Sequence, residues 1–264
     1  MADEDISDDP EYVRLYDCSY LDYNDDMIFL MELVHRHSAP VLDVACGTGR
    51  EAIRLARAGF EVVGFDRSEP ALDAARRKLA AEPEEVRQRI TLRQADMEDF
   101  DMGREFGTVV VPNASVFHLP GKYSLTRFCR SLYRHTEPGG VAMLDCVSPA
   151  VMRDTAVGER RKIKEGLNPE TGLLTREFET KLSLDWAARV ARVEHRFVEG
   201  EGDQKREHVF RQSYRWISRD EGVEALRQAG FPEIETLGDY DRNPYTEESP
   251  RLIFLAHRLE REFV

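Results

Sequence analysis

A glycine-rich turn at residues 41–50, VLDVACGTGR, is the strongest chemical signal in the sequence. An apolar run ends at this turn, and a predicted helix begins after it. Gly47 and Gly49 let the backbone approach a ligand closely and present N–H groups to it. Asp66 ends the next apolar run, near the spacing at which dinucleotide folds place a carboxylate on ribose hydroxyls. The pattern predicts a nucleoside-containing cofactor.

The same turn also fits a nicotinamide-dependent oxidoreductase, because residues 47–52 satisfy the pattern G-x-G-x-x-A. Asp43, just before the turn, argues against that alternative. A carboxylate there repels a pyrophosphate, whereas it suits a ligand that carries an ammonium and a sulfonium.

Four segments, taken in order, resemble the motifs of class I S-adenosylmethionine-dependent methyltransferases: residues 41–49, 64–68, 94–97 and 138–140. The resemblance covers about residues 40–147 and implies S-adenosyl-L-methionine as the cofactor. It implies that Asp43 and the glycine turn hold the methionine part, Asp66 the ribose and Asp96 the adenine amine, with Met97 packed on the ring. The predicted cofactor site is completed by Ala45, Arg67, Asn113 and Tyr23.

The segment after the fourth predicted strand, PNASVFHLP at residues 112–120, resembles a stretch of small-molecule N-methyltransferases. His118 is the matching histidine and is predicted to be catalytic. Its neutral imidazole could accept a proton from the acceptor or orient the nucleophile. The alternative is a packed or solvated loop histidine. The Asn-Pro-Pro-Tyr motif of enzymes that methylate nucleic-acid bases is absent from this sequence.

Tyrosines cluster before the first predicted strand. Tyr12, Tyr16 and Tyr20 are spaced by four residues and could share one helical face. In related small-molecule methyltransferases, the N-terminal segment covers the active site. The resemblance therefore implies a lid and places Tyr16 near the reaction as a second catalytic candidate. The alternative is an aromatic packing face.

Apolar periodicity predicts the elements that position these residues. Strands are predicted at 41–45, 61–65, 90–93, 108–111 and 141–147, with a turn at 138–140. Helices are predicted at 27–37, with Asp25 and Asp26 as its caps, and at 50–58, 69–79 and 123–135. The alternation predicts an α/β fold, a Rossmann-like mostly parallel sheet with flanking helices.

The pattern changes after the fifth strand. Alternating residues at 178–186, 191–197 and 208–216 predict an added antiparallel β segment with one wet face. A helix at 220–229 and strands at 233–237 and 252–256 follow. The predicted division is a helical lid at 1–39, a cofactor-binding core at 40–150, an antiparallel insertion at 151–218 and a return to the core sheet at 219–264.

Composition limits the partners. A net charge of −13 disfavours a nucleic-acid surface, and no apolar run is long enough to span a membrane. The four cysteines lack metal-binding spacing, so they are expected to be reduced core residues, and no metal is expected. The expected partner is a small-molecule acceptor, methylated on nitrogen rather than oxygen, in a cytoplasmic protein. A homodimer is left open beside a monomer. A cofactor-binding protein without catalysis stays open as a further alternative.

Overall fold

The computed structural model describes residues 6–20, 24–168, 171–202 and 205–260. Its main sheet has seven strands in the order β10-β11-β5-β4-β1-β2-β3. The strands of this sheet are β1 (Val41–Val44), β2 (Val62–Asp66), β3 (Ile90–Gln94), β4 (Phe106–Val111), β5 (Thr136–Val147), β10 (Glu233–Leu237) and β11 (Arg251–His257). The first five strands pair in parallel, and β11 and β10 add antiparallel pairs at one edge. The predicted Rossmann-like fold is confirmed.

Helices cover both faces of this sheet. They are α1 (Pro10–Tyr20), α2 (Met27–His37), α3 (Arg50–Arg57), α4 (Glu69–Ala80), α5 (Glu84–Arg87), α6 (Lys122–His135), α7 (Pro149–Asp154) and α8 (Arg219–Ala229). Every residue of β1 and β4 is buried, as expected for central strands that are covered on both sides. No helix within the described ranges is both long enough and apolar enough to cross a membrane.

Two local predictions are wrong. Residues 138–140 belong to β5 and do not form a turn before it, because Gly139 N donates to Arg258 O (2.7 Å) and Arg258 N donates to Gly140 O (3.1 Å). The predicted cap of α2 also fails. Asp26 precedes the helix but makes no side-chain cap bond, since its carboxylate accepts hydrogen bonds from Arg50 instead.

A second sheet, in the order β6-β7-β8-β9, is antiparallel throughout. Its strands are β6 (Arg160–Leu167), β7 (Leu174–Asp185), β8 (Val190–Glu199) and β9 (Arg206–Arg215). The sequence predicted three of these strands and missed β6, whose mostly exposed residues RRKIKEGL show no apolar alternation. The carbonyl of Cys18 approaches β6 at Gly166, where an added Cβ would lie 2.6 Å from that oxygen. Helix α1 therefore packs directly against this sheet.

Phe254 of β11 anchors the edge of the main sheet. Its side chain is fully buried, and β11 pairs with β5 on one side and β10 on the other. Across the sheet face it meets α8, where a Cβ added to Gly222 would lie 2.4 Å from the Phe254 ring. The absence of a side chain at Gly222 thus lets the helix pack onto this ring.

We expect Phe254→Ala to lower the free energy of unfolding by about 3–5 kcal/mol, because it removes a fully buried ring and leaves a cavity. Leu259→Ala is the matched control, since Leu259 is 61% exposed. Chemical denaturation of both variants measures the difference. A loss at Phe254 no larger than the loss at Leu259 would contradict this packing.

Candidate functional site

The glycine turn connects β1 to α3 at the carboxyl edge of the parallel strands. Gly47 and Gly49 both have a left-handed backbone, with φ of 52° and 77°. Space is open where a side chain at Gly47 would extend, whereas a Cβ at Gly49 would lie 3.2 Å from the Cβ of Ala75. Ala45, Cys46, Gly47 and Thr48 line a large cavity, and Gly49 packs against α4 behind it. Gly47 therefore keeps space open for a ligand in the cavity, whereas Gly49 allows the turn to pack closely against α4.

Asp66 ties the turn to the end of β2. Its Oδ2 accepts a hydrogen bond from Gly47 N (2.8 Å), and its Oδ1 accepts one from Ser68 N (2.9 Å). Burial raises the pKa of this carboxyl, and the two backbone donors oppose the shift. Asp66, predicted to bind the ribose, and Arg67, predicted to bind the cofactor, both line the cavity.

Asp43 lies behind the turn, fully buried in β1. Among the described residues, neither of its carboxylate oxygens has a hydrogen-bond partner. Burial raises the pKa of Asp43 well above its ordinary value, and the nearby carboxyl of Glu51 adds to the shift, while Arg50 opposes it. Asp43 is not among the residues that line the cavity, so a ligand that carries an ammonium and a sulfonium would meet its charge only through the turn in front of it.

Glu51 is a cavity residue that the sequence analysis missed. It is 5% exposed, lines the cavity beside the turn, and is paired with Arg50, which also binds Asp26. The only available signal was its place in the first turn of α3, which does not distinguish a buried acid from a solvated one.

The apolar end of the cavity is lined by Phe65, Ala71, Ala95 and Met97, which suits a flat aromatic ring. The structure does not bring Asp96 into this lining. Its side chain is exposed, and Oδ1 accepts a hydrogen bond from Glu98 N (2.8 Å), which closes the turn after β3. Its predicted contact with adenine therefore has no support from the geometry.

Helix α1 lies over the opposite wall and contributes Tyr12, Tyr16 and Tyr20 to the lining. The Tyr12 and Tyr16 rings lie 5.8 Å apart, and Tyr16 and Tyr20 are stacked at 4.3 Å. The shared helical face is confirmed, and it faces the cavity. The predicted cofactor residue Tyr23 lies outside the described residues.

Asn113 joins this helix to the end of β4. Its Nδ2 donates to the Tyr16 hydroxyl (2.5 Å), and its backbone N donates to Asp145 Oδ2 (3.2 Å). Asp145 is buried in β5 and also accepts hydrogen bonds from Tyr240 (2.8 Å) and Arg251 (2.6 Å). The sequence analysis missed Asp145, although a carboxylate within the apolar run 141–147 was a usable signal.

His118 completes the lining at the end of a short 3-10 turn, Ser115–His118. His118 is exposed to solvent, and the protein atoms of the cavity wall around it desolvate its imidazole. This desolvation, assisted by the positive charge of Arg67, lowers the pKa of His118 to about 4. The imidazole is therefore neutral at physiological pH.

Comparison with known proteins identifies this arrangement. A family model described as "Methyltransferase domain" matches residues 41–140, the span of the glycine turn, Asp66, Met97 and His118. A cypemycin N-terminal methyltransferase from a Streptomyces species is 28% identical over 219 residues, which cover 83% of this chain and 82% of that one. These matches support the assignment of the chain to the class I S-adenosylmethionine-dependent methyltransferases.

Two further similarities extend beyond the core. A dTDP-3-amino-3,6-dideoxy-alpha-D-glucopyranose N,N-dimethyltransferase of Streptomyces fradiae is 35% identical over 142 residues, about half of each chain. The crystal structure of Streptomyces venezuelae DesVI superposes with a TM-score of 0.74 at 25% identity, covering 92% of this chain and 96% of that one. The whole fold of the methyltransferase, including its second sheet, is thus shared with a solved relative.

S-adenosyl-L-methionine is the cofactor, and it supplies an electrophilic methyl group on a sulfonium. The residues present fit it. The acidic residues around the turn would suit its positive charges, the carboxylate of Asp66 on the cavity wall would accept hydrogen bonds from ribose hydroxyls, and Met97 with its apolar neighbours would receive the ring.

We expect Asp66→Ala to weaken the binding of S-adenosylhomocysteine by about ten- to a hundredfold, because it removes a charged hydrogen-bond acceptor. The matched control is Asp73→Ala, an exposed acid on α4. Calorimetric titration gives both dissociation constants, and circular dichroism checks the fold. Equal affinities in the two variants would show that Asp66 does not bind the cofactor.

Proposed function

We propose that this methyltransferase transfers the methyl group to an amine nitrogen of a small molecule. The observation that carries the proposal is the neutral His118 imidazole, which lines the same cavity as the glycine turn and Tyr16. Two relatives support it, since one is named for the N-terminal amine of cypemycin and the other for dimethylation of an amino sugar.

His118 acts as an orienting hydrogen-bond acceptor in this proposal. Methyl transfer is an in-line displacement, so the nitrogen lone pair must point at the methyl carbon. An imidazole with a pKa of about 4 is too weak a base to take a proton from an alkylammonium ion. The amine therefore enters deprotonated, and His118 accepts a hydrogen bond from its N–H. Of the two roles considered for His118, orientation is the one that its low pKa supports.

Tyr16 closes the cavity over the acceptor. Asn113 donates to its hydroxyl oxygen, which leaves the hydroxyl proton available for the substrate. We assign Asp43, Ala45, Gly47, Asp66, Arg67, Met97 and Asn113 to the cofactor. Gly49 acts indirectly by letting the turn pack on α4. The domain division at residues 40, 151 and 219 and a homodimer also stay proposals.

We also propose that the enzyme works in the cytoplasm and does not bind nucleic acid. All four cysteines are buried thiols outside any disulfide, which suits a reducing compartment. The net charge of −13 opposes association with a phosphate backbone. A nicotinamide-dependent oxidoreductase is disfavoured, because Asp43 and Glu51 would face a pyrophosphate with negative charge.

The proposed function is tested by incubating the protein with methyl-labelled S-adenosylmethionine and three amines. These are dTDP-3-amino-3,6-dideoxyglucose, a peptide with a free N-terminal amine, and glycine. We expect label in at least one of them, with transfer abolished by excess S-adenosylhomocysteine. A protein that binds the cofactor but labels no amine would instead be a cofactor-binding protein without this activity.

We expect His118→Ala to lower kcat by about 10²-fold, the lower end for an acid–base residue, because the imidazole orients the amine and does not ionise it. The acid limb of the pH profile of kcat/KM should have the same pKa in this variant as in the wild type, since it reports the acceptor amine. The affinity for S-adenosylhomocysteine should stay within about twofold. An acid limb that disappears in the variant would make His118 a true general base.

A further inference from the structure

The second sheet buries polar side chains where it meets the cavity. Glu177 on β7 is 2% exposed and His195 on β8 is 8% exposed, while Val193 and Phe197 on the same face of β8 are fully buried and apolar. Gln212 on the adjacent strand β9 lines the cavity itself. Burying charged and polar groups in a small sheet costs free energy, so their burial beside the cavity indicates a functional role.

These three side chains form one hydrogen-bonded row. His195 Nδ1 lies 3.1 Å from Glu177 Oε1, and because a carboxylate accepts, the imidazole donates from Nδ1. Gln212 Nε2 lies 2.8 Å from His195 Nε2, and since an amide nitrogen only donates, the imidazole accepts there. The row therefore holds His195 as a neutral ring in one tautomer and fixes the amide of Gln212 at the cavity wall.

Helix α1 covers this row. The Tyr12 ring meets the His195 ring edge-on, with centroids 6.0 Å apart, and Tyr12 also lines the cavity. Tyr12 is followed one turn later by Tyr16, whose hydroxyl is bound to Asn113. The wall that carries Gln212 is thus joined through α1 to the proposed reaction centre.

We propose that Gln212 binds the methyl acceptor and that Glu177 and His195 are the positioning residues that hold its amide. This inference rests on the proposed amine methylation. Only one amide N–H is engaged by His195, so a second N–H and the carbonyl oxygen are available to a ligand. Such a pair suits an uncharged group that both donates and accepts, a hydroxyl or an amide next to the reacting amine.

The negative charge of Glu177 should influence which acceptors bind near Gln212. Within the described residues its Oε2 has no hydrogen-bond partner, and the neutral His195 donates one hydrogen bond to Oε1 without cancelling the negative charge. A carboxylate next to the acceptor amine would be repelled here. The amino sugar and the peptide should therefore be better acceptors than glycine, and the comparison of the first two tells whether a hydroxyl or an amide is the preferred group.

The test measures kcat and KM of Gln212→Leu with whichever of the three amines has the highest kcat/KM in the wild type. We expect KM for the amine to rise about three- to tenfold, the effect of one neutral hydrogen bond, with kcat and S-adenosylhomocysteine affinity nearly unchanged. Gln228→Leu, an exposed glutamine on α8, is the matched control. A KM within twofold of the wild type would overturn the role of Gln212.

His195→Phe tests the positioning role, because it keeps the aromatic contact with Tyr12 and removes the acceptor nitrogen. The single variant His195→Phe should have a KM for the amine about threefold above that of the wild type. Adding His195→Phe to Gln212→Leu should not raise KM further, because the two changes break the same interaction. Additive effects would overturn the positioning role and leave a structural one. In ¹⁵N-histidine spectra of the wild type bound to S-adenosylhomocysteine, adding the amine should shift the His195 Nε2 signal.

The outcomes separate the two proposals. Transfer to an amine with an unchanged KM in Gln212→Leu, or a preference for glycine, overturns the inference and leaves the proposed function intact. If the wild type labels none of the three amines, the proposed function fails, and the acceptor role of Gln212 fails with it.

Discussion

Negative charge buried beside the glycine turn is the constraint on which this cavity depends. Asp43 has no hydrogen-bond partner among the described residues, and Glu51 and Asp26 share the guanidinium of Arg50. Buried carboxylates are costly unless they are paired, so burial raises the pKa of Asp43 and favours its protonated form in the free protein. A cofactor with a sulfonium and an ammonium would favour the ionised form, which is why the cavity suits it better than a dinucleotide.

The shape of the cavity follows from hydrogen bonds that connect helix α1 to the loops at the carboxyl edge of the sheet. Thr48 Oγ1 donates to Asp17 Oδ1 (2.6 Å), and Asn113 Nδ2 donates to the Tyr16 hydroxyl (2.5 Å). These contacts hold α1 against the loops after β1 and β4. The proposal that α1 is a lid therefore predicts that cofactor exchange on this side of the cavity breaks these two hydrogen bonds.

The main sheet was predictable because its central strands are covered on both faces and read as continuous apolar runs. The glycine turn and Asp66 were predictable because backbone geometry restricts which residues fit there. Strand β6 was not, since an exposed strand has no apolar alternation, and neither was Glu51, whose burial depends on Asp26 and Arg50. The contact of Asp96 with adenine stays a prediction, because position after a strand does not determine whether a side chain faces the cavity or solvent.

The second sheet shows the limit of pattern reasoning most clearly. Its alternation predicted one wet face, yet the fully buried positions of β7 include Thr175, Glu177 and Lys181. A polar side chain can be buried when the neighbouring strand supplies its partner, as His195 does for Glu177. That pairing depends on strand register, which a single sequence does not reveal.

Calorimetric titration of the purified protein with S-adenosylmethionine and with NAD, under identical conditions, tests the central claim most directly. The acidic cavity predicts binding of S-adenosylmethionine with a dissociation constant on the order of 10⁻⁶ M and no measurable heat with NAD. Tight binding of NAD with none of the sulfonium cofactor would contradict the account.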